Sequence, residues 1–213
     1  MKDNKPKKDR VLTKKEQERL EKIQALTEQK TAEGYRRTDL TVSVVYANVM
    51  AFILCIPLCL LFGVAFAWMR RDAFSFDLGG LFWLFPVAVL ISVVLHELIH
   101  GLFWGLFSKG HFQSIEFGFI KEYGTPYCTC LEPLSKTQYL IGSVMPGVLF
   151  GILPLTVSLF TGSFWLFAYG VIMTFAAGGD FTILLKLLRY RAEGQELLCV
   201  DHPTECGLMV LER

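Results

Sequence analysis

The sequence predicts an all-α integral membrane protein, with four transmembrane helices, a short β-hairpin after the second helix and a cytosolic N-terminal helix. Three observations predict it. Apolar residues make up 53% of the 213-residue chain and fall in long blocks, where soluble domains intersperse them. Four of those blocks exceed the ~20 residues that a helix needs to cross ~30 Å of hydrocarbon. Lys and Arg are segregated, 19 of the 21 lying in segments that would share one side of a bilayer.

Taken in chain order, Thr13-Lys14-Lys15-Glu16 has the form of a capping box and opens a charged helix to about Glu33. Leu20, Ile23 and Leu26 give it only a thin apolar stripe, which places it in the cytosol or on the membrane surface. Residues 1–37 carry 12 Lys and Arg against seven acids. No nucleic-acid motif accompanies them, so the reading is a solvated, membrane-proximal basic tail with no nucleic-acid partner. The first apolar block begins about forty residues in and is too long for the core of a cleavable signal.

The four spans run from about Val42 to Trp68, Gly79 to Phe107, Tyr139 to Phe160 and Ser163 to Leu188. Pro57, Pro86, Pro146 and Pro154 lie inside them, which membrane helices tolerate when neighbours satisfy the freed carbonyls. Between the second and third spans, Ile115, Phe117 and Phe119 alternate with Glu116 and Gly118, and Tyr123-Gly124-Thr125-Pro126 supplies turn chemistry. That pattern predicts a hairpin at about residues 111–131. With the N-terminus inside, only Arg70 and Arg71 fall outside, so both termini and the hairpin are expected in the cytosol. The chain then divides into a basic tail (1–40), a four-span domain (41–190) and a C-terminal tail (191–213), multi-pass in the cell membrane. The six cysteines form no recognisable disulfide framework.

From Leu81 to Phe107 three ionisable residues interrupt an otherwise uncharged run: His96, Glu97 and His100. Each costs about 2.5–3.5 kcal/mol at a helix centre in the bilayer, so the three together need a reason. His96-Glu97-Leu98-Ile99-His100 fits H-E-x-x-H. Positions i and i+4 share a helix face, so the two imidazoles can converge on one ion, and zinc suits them. The glutamate beside them can take a proton from water and hand it to a leaving amine. A buried polar cluster that only satisfies itself is the alternative. Asp180 is the candidate third ligand, because it lies as far into the fourth span as His96 does into the second, at matching depth. Gly178 and Gly179 would let the backbones approach for it to reach the metal. The competing role for Asp180 is to cap the helix that continues after the glycines.

These residues carry a resemblance. The HELIH span, Pro126-Tyr127-Cys128, Glu132-Pro133-Leu134, Gly178-Gly179-Asp180, Asp201-His202-Pro203 and Gly207 resemble a zincin-peptidase family of bacterial membrane proteins, a domain-of-unknown-function family. The likeness covers about residues 40–207 and implies a peptidase activity. More distantly, an H-E-x-x-H in a membrane helix, a hairpin after it and a later intramembrane aspartate are similar to the site-2 protease class. Asp180 does not stand in that class's usual Asn-Pro-x-x-Asp-Gly or Leu-Asp-Gly wording, which leaves a hairpin carboxylate (Glu116, Glu122 or Glu132) open as third ligand.

The expectation is therefore a zinc-dependent, membrane-embedded peptidase acting on membrane or membrane-proximal proteins or peptides, with His96, His100 and Asp180 on zinc and Glu97 as general base. The alternative is a non-catalytic zinc-binding membrane adaptor, or a maturation or immunity factor. The hairpin is expected to receive an extended substrate by strand addition. Cys128-x-Cys130 makes an incomplete ligand set and reads as packing. His202, before Pro203, reads as a turn residue, and Tyr46 and Asn48 as polar contacts between helices.

Overall fold

The computed structural model describes residues 13–70, 81–120 and 124–213. Residues 1–12 of the basic tail, Arg71, Lys121, Glu122 and the Tyr123 end of the expected turn lie outside them. Helix α1 (Lys14–Ala32) opens as the capping box requires, Thr13 accepting the Glu16 N–H and donating its own N–H to the Glu16 carboxylate at 2.8 Å. Strand β1 (Arg36–Thr41) leads into α2 (Val44–Arg70), and α3 (Leu81–Phe107) follows. A tight turn, His111–Ser114, precedes the hairpin of β2 (Ile115–Ile120) and β3 (Thr125–Cys130), in register from Ile115↔Cys130 to Ile120↔Thr125. The short β4 (Leu134–Ser135) runs into α4 (Lys136–Pro146), a π-helical turn (Gly147–Ile152) and α5 (Leu153–Thr161). Helices α6 (Phe164–Ala176) and α7 (Gly178–Arg189) and strands β5 (Leu197–Asp201) and β6 (Gly207–Glu212) complete the chain.

The molecule is mostly helical. Helix α2, helix α3 and the run Lys136–Thr161 are each long and apolar enough to cross a membrane. The fourth expected span is broken. Helices α6 and α7 meet at 51°, and the count reaches four only if that bent pair is taken as one span. The break falls at Ala177, whose φ of −79° and ψ of 1° leave the helical region just before Gly178-Gly179, a pair that adds little to helix stability. Gly178 also has a packing duty. A Cβ there would lie 2.3 Å from Cβ of Ala51 on α2, so only glycine lets these two helices approach so closely. Tyr46 and Asn48, expected between helices, are both exposed, because the buried face of α2 runs instead through Ala47, Ala51 and Cys55.

A four-stranded antiparallel sheet, ordered β1-β6-β5-β4, was not among the expected elements. It joins the two ends of the chain, pairing Arg36 with Glu212 through to Thr41 with Gly207. Both faces are buried. Leu40, Cys199, Leu208 and Val210 pack with Tyr139 of α4 and Leu187 of α7, while Val200, Met209 and Leu211 pack with Ile23 of α1 and Tyr35. The thin stripe of α1 therefore docks on the sheet, and Ile23 is only 2% exposed. The same helix leans on the hairpin. Lys15 Nζ donates to the Phe117 carbonyl at 3.0 Å, and Arg19 donates to Tyr127 Oη at 3.1 Å and to the Pro203 carbonyl at 2.9 Å.

Topology gathers these parts at one end of the helices. α2 starts just after β1, α3 ends just before the hairpin, α4 starts after β4 and α7 ends before β5. Leu211 is fully buried between α1 and the helical layer, so Leu211→Ala should cost about 2–5 kcal/mol. Thermal unfolding in detergent checks this, and an unchanged midpoint would mean that the α1–sheet contact does not support the fold.

Candidate metal centre

Helix α3 buries Ser92, His96, His100, Gly101, Trp104 and Gly105, and Ser108 just after it continues the stripe at helical spacing. Val94, Leu98, Leu102 and Leu106 face outward. Along the stripe Ser92 Oγ lies 2.7 Å from Tyr169 Oη of α6, and the His96 and His100 rings meet edge to face at 4.8 Å. His100 stacks on Trp104 at 5.0 Å, and Trp104 stacks on Tyr139 of α4 at 5.3 Å. Tyr139 Oη then donates to Asp201 Oδ1 at 2.6 Å, which ties the stripe to the sheet. Helix α4 comes this close because residue 142 is glycine. A Cβ there would lie 2.1 Å from two atoms of the Trp104 indole.

Asp180, the third residue of α7, completes a cluster. Its Oδ2 lies 3.0 Å from His96 Nε2 and 3.5 Å from His100 Nε2, and the two Nε2 atoms are 3.2 Å apart. Ligand atoms on a tetrahedral zinc, at zinc–ligand distances of ~2.0–2.1 Å, stand ~3.3 Å from one another. The three side chains thus already present one face of such a tetrahedron. Two imidazole nitrogens and one carboxylate oxygen suit zinc, whereas magnesium and calcium want oxygen donors. Among the described residues this is the one group of three that could hold a metal.

The two histidines differ at Nδ1. His100 Nδ1 is 2.8 Å from the Gly142 carbonyl, which only accepts, so Nδ1 carries the proton and the Nε2 lone pair faces the cluster. His96 Nδ1 is buried with no hydrogen-bond partner. Asp180 stands in the first turn of α7, the favourable N-terminal position that the capping alternative named, and its carboxylate is directed at the histidines. Gly178 brings α7 to α2, not to α3, and Gly179 has open space around it. The expectation that both glycines close the gap to the histidines is therefore corrected. Asp180 reaches them through its own side chain from the turn after Ala177.

Residues 89–193 match the family model described as "Putative zincin peptidase". The match takes in α3 from residue 89 on, the hairpin and α4 through α7, so all three cluster residues and Glu97 lie inside the matched segment. No curated protein and no solved structure gives a significant match to the chain.

Within the matched segment Glu97 lies one residue along the helix from His96, within electrostatic reach of His100, Asp180 and His96, and accepts the Cys128 backbone N–H. Along the outer edge of β3 the Cys128 and Cys130 N–H groups go to Glu97 and to Asp201 Oδ2 (2.8 Å), and Pro126 has none.

Of the three hairpin carboxylates Glu122 lies outside the described residues, and Glu116 and Glu132 do not join the cluster. Glu132 holds the Gly110 N–H at 3.0 Å, and Glu116 Oε2 is buried without a partner. Burial pushes the Cys130 thiol up to about 12 and raises Cys128 as well, which keeps both protonated and poor as ligands. His202 Nδ1 accepts the Thr204 and Glu205 N–H groups at 3.3 and 3.0 Å, the turn role expected of it.

Trp104, Tyr139, Gly142 and Asp201 support the site and were not singled out as site residues by sequence reasoning. Trp104 carried a usable signal, standing four residues after His100 on the same face.

Proposed function

We propose that the chain is a zinc-dependent, membrane-embedded peptidase that cleaves membrane or membrane-proximal proteins or peptides. The observation that carries this reading is the triangle of His96 Nε2, His100 Nε2 and Asp180 Oδ2, with edges of 3.0–3.5 Å and a glutamate at the next position of the same helix. His96, His100 and Asp180 would hold the metal. Zinc, when bound, makes water available as a nucleophile near neutral pH and polarises a carbonyl. Glu97 takes the proton from the attacking water and passes it to the leaving amine, while the Cys128 N–H fixes the orientation of its carboxylate. Trp104 and the Gly142 carbonyl hold the His100 ring in place. A structural zinc site has no use for a general base, so the presence of Glu97 favours the peptidase over an adaptor or a maturation or immunity factor.

Membrane embedding is supported by the outward faces of α2 and α3, where Leu61, Val64, Trp68 and Leu90 are 67%, 69%, 75% and 69% exposed. Both termini in the cytosol is supported by the sheet, which places β1 and β6 together, and by the charge bias of 19 Lys and Arg to two. A cysteine introduced at Lys109, in otherwise cysteine-free protein, should resist impermeant thiol reagents in intact cells. Efficient labelling there would reverse the orientation.

The test is to purify wild type and Glu97→Gln in detergent, measure zinc, and profile the membrane peptides each one cleaves. Glu97→Gln should keep its zinc and lose about 10²–10⁴-fold in cleavage rate. Wild type that holds zinc yet cleaves nothing that Glu97→Gln leaves intact would give the adaptor reading the better claim.

A further inference from the structure

We propose that Pro146 is a positioning residue of the metal centre: by withholding a backbone N–H it frees the Gly142 carbonyl to hold the His100 ring. In an α-helix the carbonyl of residue i accepts from the N–H of residue i+4. For Gly142 that residue is 146, a proline with no N–H to give. The N–H one position on, that of Gly147, goes to the Val144 carbonyl. The Gly142 carbonyl is therefore left without a helical donor in a buried place, and His100 Nδ1 supplies one at 2.8 Å.

The contact falls where α3 and α4 come closest. Glycine at 142 leaves room for the Trp104 indole, and that indole stacks on His100 at 5.0 Å with an interplanar angle of 18°. The ring plane is thus set by Trp104 and the ring proton by Gly142, which aims the Nε2 lone pair at His96 and Asp180. His96, whose Nδ1 has no partner, shows what a cluster histidine looks like without such a device. The other in-span prolines Pro57, Pro86 and Pro154 would free the carbonyls of Ile53, Phe82 and Phe150.

The effect on zinc rests on the proposed metal site, whereas the effect on the tautomer does not. The experiment therefore reads both, on protein purified in detergent. ¹⁵N-histidine labelling of metal-free wild type should show His100 protonated at Nδ1. Pro146→Ala supplies an N–H that competes for the Gly142 carbonyl. It should mix the His100 tautomers and weaken zinc binding, measured by chelator competition, by about 10–100-fold. Lactic acid placed at 146 carries an ester oxygen where alanine has its N–H, and it should restore both readouts. Pro154→Ala should change neither. If Pro146→Ala keeps the wild-type tautomer and zinc affinity, the proposal falls. It also falls if the lactate variant departs from wild type, since the proline ring and not the missing N–H would then be what matters. A wild type that binds no zinc while its tautomers follow this pattern would sink the metal reading and leave the Pro146 assignment standing.

Discussion

Purified in detergent, the wild-type chain should carry about one zinc, and His96→Ala, His100→Ala and Asp180→Asn should each release it. The three ligand atoms come from two helices that are distant in sequence, so only the folded protein assembles them. Removing any one leaves two protein ligands, fewer than the three that catalytic zinc sites keep. The loss in affinity should exceed the ~10–100-fold that outer-shell changes cost. Asp180→Asn is the most informative of the three. It preserves shape and keeps one oxygen near His96 but removes the negative charge that two neutral imidazoles and a dication require. Full zinc occupancy in Asp180→Asn would transfer the third-ligand role elsewhere. Glu132 is poorly placed to take it, because its carboxylate is bound to the Gly110 N–H. Loss of zinc with the thermal midpoint kept would separate ligation from folding.

How far the molecule could be read from its sequence depended on whether the governing constraint was local. Lipid imposes a local one: a span needs about twenty consecutive apolar residues, so α2 was legible to within two residues at each end and α3 to its last residue, its expected start at Gly79 lying outside the described residues. His96, Glu97 and His100 were legible for the same reason, as ionisable groups in a run that disfavours them. Strands β1, β5 and β6 were not. Leu208-Met209-Val210-Leu211 is apolar on both faces because α1 covers one and α4 and α7 the other, so the alternation that marks a half-buried strand is missing. Its partner Arg36-Arg37-Thr38-Asp39-Leu40-Thr41 is largely polar and lies at the far end of the chain, a pairing that no local pattern reports. Gly178-Gly179 signalled a close approach, but the neighbour approached was α2, a fact of packing that the dipeptide does not contain. The Asp180 depth argument reached the right neighbours although the helix carrying it is broken, because the bend falls three residues before the aspartate.

The second large effect is expected at Asp201, which links the sheet to the candidate metal centre. Its two carboxylate oxygens accept the Tyr139 hydroxyl at 2.6 Å and the Cys130 N–H at 2.8 Å. Burial pushes the carboxyl above the ordinary aspartate value, against the hydrogen bonds from Tyr139 and Cys130 that favour its charged form. Asp201→Ala strands both donors, and Tyr139, Thr129 and Cys130 are all buried around the gap. Each stranded donor costs about 1–3 kcal/mol, so the folded state should lose about 2–6 kcal/mol. Tyr139→Phe removes one donor and should cost less than half as much, since the phenyl ring still stacks on Trp104. The two variants also make different claims about the site. With Asp201 gone, β3 loses its tie at Cys130, two residues from the Cys128 N–H that Glu97 accepts. Asp201→Ala should therefore lower cleavage as well as stability while leaving zinc bound, because none of the three proposed ligands touches Asp201 directly. Tyr139→Phe should leave cleavage near wild type. Equal stability and equal cleavage in Asp201→Ala would show that the sheet is an independent appendage, and that α3 and α1 suffice to hold the hairpin beside Glu97.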